Sequence, residues 1–329
     1  MSELNLLDYK VLTGVLQKLG NPPELLGKTI FKDRTIDGLS ATWDVVTGNR
    51  TLGAFRAPEG KSKNINRLGV EKKVSQLALL ALNKQLPETF LVWKRAPGTI
   101  DQPYMEQAIR RELEDLNNML ERTYEYARWN ILTTGKLTVN QSDVKFEVDY
   151  GIANDHKPMV DVSWGEQTAT PMEDISAWKR LVAKDSGYVI TDMYMNSLSL
   201  EKCLKSESIR ELLRAQYGRE LVAGQTPPEI IQVKVNVYDA GYVNGGGSFV
   251  NYIPDGKVIF VASAPDFAEE QVGSGLIPLG ENNVQKAIGK YSYTDITKDP
   301  VSLLLYAGKN ALPLIKRVEN IVIANIVHT

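Results

Sequence analysis

A chain of 329 residues with 43% hydrophobic and 24% charged side chains has room for one large domain or two ordinary ones, and is excluded from the disordered class. Its formal charge of −2 gives no global pull toward nucleic acid or an anionic membrane. Cys203 is the sole cysteine, so no intramolecular disulfide can form. The opening MSELNLLDYKVLTG also lacks the basic start and apolar core of a signal peptide; the expectation is a soluble intracellular product with no membrane-spanning run.

Residues 1–35 hold one short amphipathic helix, with Leu4, Leu7, Val11, Val15 and Leu19 at helical spacing, stopped by Gly20 and the Pro22-Pro23 pair. From there to about Leu86 the pattern is weakly alternating and often broken. It predicts two long arm strands, DGLSATWDVVTG and VEKKVSQLALLALNKQLP, around the basic loop KSKNINR at 61–67. Such a segment has too little apolar mass for a core of its own, so it must lie on something else.

Asp101 to Gly135 is the longest periodic stretch. Asp101 is a good N-cap, Pro103 falls in the first turn and Gly135 is a stop. Ile109, Leu113, Leu116, Leu120, Ala127 and Ile131 form one apolar stripe, while Glu106/Arg110, Arg110/Glu114 and Arg111/Asp115 are pairs four apart on the wet face. The predicted helix is roughly 50 Å long, about the diameter of a compact globule of this size.

Alternation of Leu137 and Val139, then Val144, Phe146 and Val148, about Asn140–Asp143 predicts a hairpin. A helix follows within 158–182, capped by Thr170 or Asp174, with Ile175, Trp178 and Val182 on its apolar face. Gly187–Met195 reads as a buried strand, Asn196-Ser197 as a cap and 198–217 as one or two helices. A strand is expected at 230–239 and two strand pieces about Pro254-Asp255-Gly256 within 248–263; the tail gives two apolar strands about a bend at Pro313.

Catalytic constellations are scarce. His156 and His328 are the only histidines, which excludes most histidine-based catalysis and metal clusters. Asp155 and His156 read as a solvated loop pair. Gly245-Gly246-Gly247 precedes strand-like sequence without a Lys-Ser/Thr pair, so a hairpin tip is expected there and no phosphate cradle. Glu147 and Asp149 share one strand face, and paired carboxylates leave acid/base chemistry open. Lys61, Lys63, Arg67, Lys72 and Lys73 form a basic patch suited to an acidic neighbour.

Five stretches in one order carry a resemblance. EVDYG (147–151) closes the hairpin after the long helix, and DISAWKRLV (174–182) follows Trp164. GYVITDMYMNSLSLEKCL (187–204), VNVYDAGYVNGGGSFVNYIPDGKVIFVAS (235–263) and DPVSLLLYAGKNALPLIKRVENIVIANIV (299–327) come after. Together they resemble the major capsid protein E family of lambda-like tailed phages over about 101–329, with a looser match through 36–100. The resemblance implies an α+β chain of the Hong Kong 97-type capsid fold. Its expected parts are an N-terminal arm at 1–35, an extended β-hairpin loop at 36–86, a peripheral domain with the spine helix at 87–175 plus 291–329, and an axial domain at 176–290.

It further implies a virion protein, assembled in the host cytoplasm, that forms hexamers and pentamers of an icosahedral shell around DNA. Loops near 239–256 would meet around the capsomer axis. Candidate subunit-interface residues are Trp43, Lys61, Lys63, Arg67, Lys72 and Lys73 on the extended loop, Arg110, Arg111 and Glu114 on the spine, and Tyr242 and Asn244 on the axial loop. No catalytic, cofactor-binding or metal-binding residue is assigned, and no cofactor. Expected partners are copies of the chain, scaffold, portal and decoration proteins, and non-specific contact with packaged DNA. Because the arm before the fold is short, a separate scaffold is expected unless the chain is already processed. Two other classes stand beside this one: a carboxylate-based hydrolase with a βα domain at 176–290, and a nucleic-acid or tail-fitting protein using the 61–73 loop.

Overall fold

A computed structural model describes residues 8–20, 22, 24–46, 70–87, 95–96, 99–100, 102–141, 144–222, 227–279 and 283–328. Helix α1 (Tyr9–Lys18) starts at Asp8, whose carboxylate accepts from the Lys10 amide at 2.9 Å. Its buried ridge is Leu12 and Leu16, one position on from the expected Val11 and Val15, which flank it. One turn, α2 (Gly27–Ile30), leads into β1 (Lys32–Thr35) and β2 (Ser40–Val46). The second arm strand expected at 70–87 is two strands with different partners. β3 (Val70–Gln76) pairs with β2 in a ribbon, Leu77 is buried, and β4 (Ala78–Pro87) joins a larger sheet.

Short strands β5 (Arg95–Ala96) and β6 (Thr99–Ile100) pair ahead of α3 (Gln102–Thr134), the expected long helix. The expected cap, Asp101, lies outside the described residues. Gly135 ends the helix at φ 79°, a conformation that glycine adopts without steric cost. β7 (Lys136–Gln141) and β8 (Val144–Asp149) then form the expected hairpin, with Leu137 opposite Val148 and Val139 opposite Phe146.

Helix α4 (Pro171–Ser186) carries proline at its first position and ends at Gly187. Thr170 is its cap by position, without a side-chain capping bond. Because Gly187 is spent on ending α4, the expected strand 187–195 forms only over β9 (Asp192–Met195). Asn196 accepts from the Ser199 amide at 2.8 Å and opens α5 (Ser197–Lys205), with α6 (Glu207–Val222) following. The strand expected at 230–239 is folded on itself. Ile231 and Gln232 take positive φ values of 51° and 58°, turning β10 (Glu229–Ile230) back along β11 (Val233–Val237).

The hairpin of β12 (Gly241–Val243) and β13 (Phe249–Asn251) and the strand β14 (Lys257–Val261) fall where expected. Four strands follow: β15 (Ala268–Val272), β16 (Ser274–Pro278), β17 (Val284–Ile288) and β18 (Tyr291–Lys298). The predicted bend at Pro313 is not where the tail breaks. β19 (Val301–Ile315) runs through Pro313, and the chain turns in a 3-10 segment at Val318–Asn320 before β20 (Ile321–Asn325).

The chain divides into two compact units: 1–41, 74–128 and 269–314 in the first, and 42–73, 129–268 and 315–329 in the second. The first is built on a five-stranded sheet, β1-β15-β19-β18, with β4 also paired to β19. Ile109, Leu113, Leu116 and Leu120 of α3 pack with Leu12 and Leu16 of α1 and with Leu305 and Ala307 of β19. Burying each of these larger aliphatic side chains stabilises by about 1.5–3 kcal/mol, which is why the stripe, and not the salt-bridged face, fixes the rotation of the helix.

The second unit has a mixed sheet in the order β10-β11-β9-β14-β20. Ile175, Trp178 and Val182 of α4 join Leu200, Cys203, Ile209 and Leu213 over Met193, Phe260 and Val322. Trp178 lies 5.9 Å from Trp164 and 5.1 Å from Phe260, centroid to centroid.

Candidate functional site

The residues that could have carried catalysis are engaged in holding the fold. His156 is only 3% exposed, so the solvated loop pair expected with Asp155 is not formed; Asp155 alone faces water. The His156 ring lies 2.8 Å from the Ile321 carbonyl through Nδ1 and 3.1 Å from the Asp185 carboxylate through Nε2, tying its turn to β20 and α4. Glu147 and Asp149 are bridged by Lys136 at 3.0 and 3.1 Å. Burial pushes the Cys203 thiol up to about 12, so it stays protonated and unreactive at neutral pH. The triple glycine is an exposed hairpin tip. Among the described residues no group of three or more His, Cys, Asp or Glu is placed to hold a metal ion, and no helix is long and apolar enough to cross a membrane.

The surface candidates divide by position. Trp43 is 4% exposed and its ring lies 6.1 Å from that of Tyr150, so it is consumed inside the chain. Lys72 is exposed and Lys73 half-buried on β3; Lys61, Lys63 and Arg67 lie outside the described residues. On α3, Arg110 and Arg111 are exposed and Glu114 half-exposed. Arg110 meets Glu114 at 3.4 Å as the four-residue spacing predicts. Asp115, expected to pair with Arg111, instead meets Lys84 of β4 at 2.5 Å. Tyr242 leans on Tyr252, centroids 5.8 Å apart, and Tyr252 stacks on Tyr238. Asn244 holds the hairpin tip by accepting from the Gly246 and Ser248 amides, both at 3.0 Å.

Sequence reasoning missed a buried cluster of charged side chains in the first unit. Arg128 meets Glu125 at 2.9 Å, Glu270 at 2.6 Å and Glu121 at 3.3 Å. Lys309 meets Glu270 at 2.5 Å and Glu121 at 3.3 Å, and Lys290 meets Glu121 at 3.0 Å. The Gly27 amide donates to Glu125 at 2.6 Å. Burial alone would raise the Glu121 carboxyl, but Lys309 and Lys290 outweigh it and hold it down to about 2. At Glu270 burial is likewise outweighed, by Lys309 and Arg128, so the carboxyl stays well below the ordinary range. All three carboxylates are therefore occupied as ion-pair partners, and the cluster locks α3 to β15 and β19. Glu121, Glu125 and Arg128 do sit at helical spacing on the side of the buried stripe; that was the available signal. Their partners are far along the chain and leave none.

Comparison with known proteins accounts for the ribbons and hairpins of the described residues. A model for the phage major capsid protein E family matches residues 8–326 of the chain. The chain belongs to that family. Its fold is the Hong Kong 97-type capsid fold, α+β as expected. A phage-related protein from Bordetella bronchiseptica RB50 superposes with a TM-score of 0.61 at 12% identity, covering 96% of each chain. The putative capsid protein of a prophage of E. coli CFT073 gives 0.61 at 14% identity, covering 95% of each chain. The capsid of a native GTA particle gives 0.53 at 13% identity over 94% of this chain and 93% of the other. No curated protein matches. As a phage major capsid protein E, the chain is a shell-forming structural component of the virion. The hydrolase reading of 176–290 finds no support.

Proposed function

We propose that this capsid protein assembles into hexamers and pentamers of an icosahedral shell that encloses phage DNA. The family match across residues 8–326 carries the reading. The parts take roles by their place in a lattice: an arm at 1–35, an extended loop at 36–86, a peripheral domain at 87–175 with 291–329, and an axial domain at 176–290. This division by role differs from the division into compact units, in which β15, β16 and β17 group with the first.

The axial hairpin has the chemistry for meeting its own copies. From Ala240 to Pro254 there is no charged residue, so five or six identical loops can converge on an axis without like-charge repulsion. The extended loop would lie over adjacent subunits through Lys72 and Lys73, joined by Lys61, Lys63 and Arg67. Arg110, Arg111 and Glu114 on the wet face of the spine would meet neighbouring capsomers, where exposed ion pairs set register more than strength. Trp43 supports the arm from within. Many weak contacts per subunit make a closed shell stable. Scaffold, portal and decoration proteins are the further partners, DNA contact is non-specific, and assembly takes place in the host cytoplasm.

Multi-angle light scattering and negative-stain microscopy on the purified full chain test the reading. The expected result is closed megadalton particles, or five- and six-membered rings that grow into them with salt or crowding. A small oligomer that stays small under all these conditions overturns it.

A further inference from the structure

The β16–β17 ribbon is a separate two-stranded sheet whose two faces differ. By its register Leu276, Pro278, Val284 and Ile288 share one face. Leu276 is 59% exposed, Val284 61% and Ile288 48%, and Pro278 is exposed as well. On the other face Ile277 is buried, and the Tyr291 ring lies so close to Gly275 that a Cβ there would come within 2.1 Å of it.

A lone two-stranded ribbon is marginal in water, yet this one is braced from below. Gln17 of α1 donates to the Ile288 and Lys290 carbonyls at 3.2 and 2.9 Å. The Gly289 amide donates to the Gly273 carbonyl at 3.2 Å, and the Leu279 amide closes the tip on the Asn283 carbonyl at 2.7 Å. The chain thus fixes a projecting element and leaves its outer face aliphatic, a pattern that marks interaction surfaces.

The charge on that face selects the occupant. Among the described residues Lys286 is its one ionised side chain, and Lys286 is already paired with Asp37 of the same unit. A face with its charge neutralised from within offers nothing to recognise a charged partner. It stacks on an identical face with no like-charge penalty. We propose that the apolar face of the β16–β17 ribbon docks on the same ribbon of a second copy of this chain. The proposal rests on the shell-forming reading, which surrounds every subunit with copies of itself. It adds a contact distinct from the arm, the spine and the axial hairpin.

Charge complementation in the full chain tests it. Two double variants are made: Leu276→Glu with Val284→Glu, and Leu276→Lys with Val284→Lys. Each alone is expected to lower the yield of closed particles at least tenfold, and an equal mixture to restore most of it. Circular dichroism checks that both variants fold. Should either misfold, Leu276→Ser with Val284→Ser is expected to give the same loss of yield without rescue by wild type at equal total concentration. Assembly of either charged variant at the wild-type yield overturns the proposal. So does loss without rescue in the mixture, which places another surface or another protein on the ribbon. If wild type forms no particles at all, the shell reading fails separately. Sedimentation velocity then decides the ribbon contact, which stands if wild type self-associates and the charged variants do so only when mixed.

Discussion

Arg128 and Glu270 meet at 2.6 Å with both side chains wholly excluded from water, joining the spine helix to β15 from positions 142 residues apart in sequence. Truncating Arg128 leaves Glu270 its contact with Lys309 but removes one buried positive charge from among three buried carboxylates. Losing one partner from a buried ion-pair network costs about 3–5 kcal/mol. Arg128→Met is therefore expected to lower the stability of the first unit by that amount. Replacing only the exposed Arg110 by Met should change it by less than about 1 kcal/mol. Urea denaturation followed by tryptophan fluorescence and by hydrogen exchange of β15 and β19 amides reads both.

The same cluster sets the response to acid. The Glu121 carboxyl is depressed from an ordinary 4.5 to about 2, and Glu270 is depressed as well. A depressed carboxylate contributes stability that is complete above its unfolded value, here about 4.5, and is lost as pH falls through the folded one. Stability is thus expected to be level from pH 7 to about 5, then to fall steeply toward pH 2. Glu121 accounts for on the order of 3 kcal/mol of that fall. Glu121→Gln should flatten the curve below pH 4.5 while lowering its plateau; denaturation midpoints measured from pH 7 to pH 2.5 check both parts.

A third expectation concerns close packing without charge. The Tyr291 ring lies over Gly308 as well as Gly275, and a Cβ at 308 would sit 2.4 Å from its Cζ. Gly308→Ala should destabilise by about 1–3 kcal/mol through overpacking. Tyr291→Leu in the same chain should recover part of the loss, because the clash is with the ring and not with the backbone. A double-mutant cycle on unfolding free energies measures the coupling.

Local signals explain which parts of the fold could be read ahead. The spine helix, the β7–β8 hairpin and the Pro254-Asp255-Gly256 turn each follow from residues within a few positions of one another, so their boundaries were close. Where a residue had two uses, the reading failed. Gly187 could begin a strand or end a helix, and the helix took it. Ile231 and Gln232 alternate like strand residues, yet they occupy positive φ to make a turn that only the β10–β11 pairing explains. Leu77 separates one long alternating run into strands with different partners because its side chain is needed in the core. The buried charges and the β16–β17 ribbon depend on groups brought together from distant segments, and burial of Glu121 or exposure of Leu276 has no linear signature. The resemblance in EVDYG and the tail carried the family even so, because it depends on order along the chain and not on contacts.

The last expectation concerns the extended loop. Trp43 and Val45 of β2 are buried, so the ribbon is anchored at its base, while Lys72 and Val74 of β3 are exposed. Replacing 47–69 by an Asn-Gly turn between β2 and β3 leaves every one of these anchors in place. The melting transition of the chain should then move by no more than a surface change allows, within about 1 kcal/mol in stability. Particle yield should collapse, because contacts that act together in a closed shell are lost together. Light scattering at matched concentration, with circular dichroism beside it, separates the outcomes. Particles of wild-type size and yield from the shortened chain would overturn the expectation that residues 47–69 bind neighbouring subunits, and a chain that no longer melts cooperatively would mean that the replacement disturbs the fold itself.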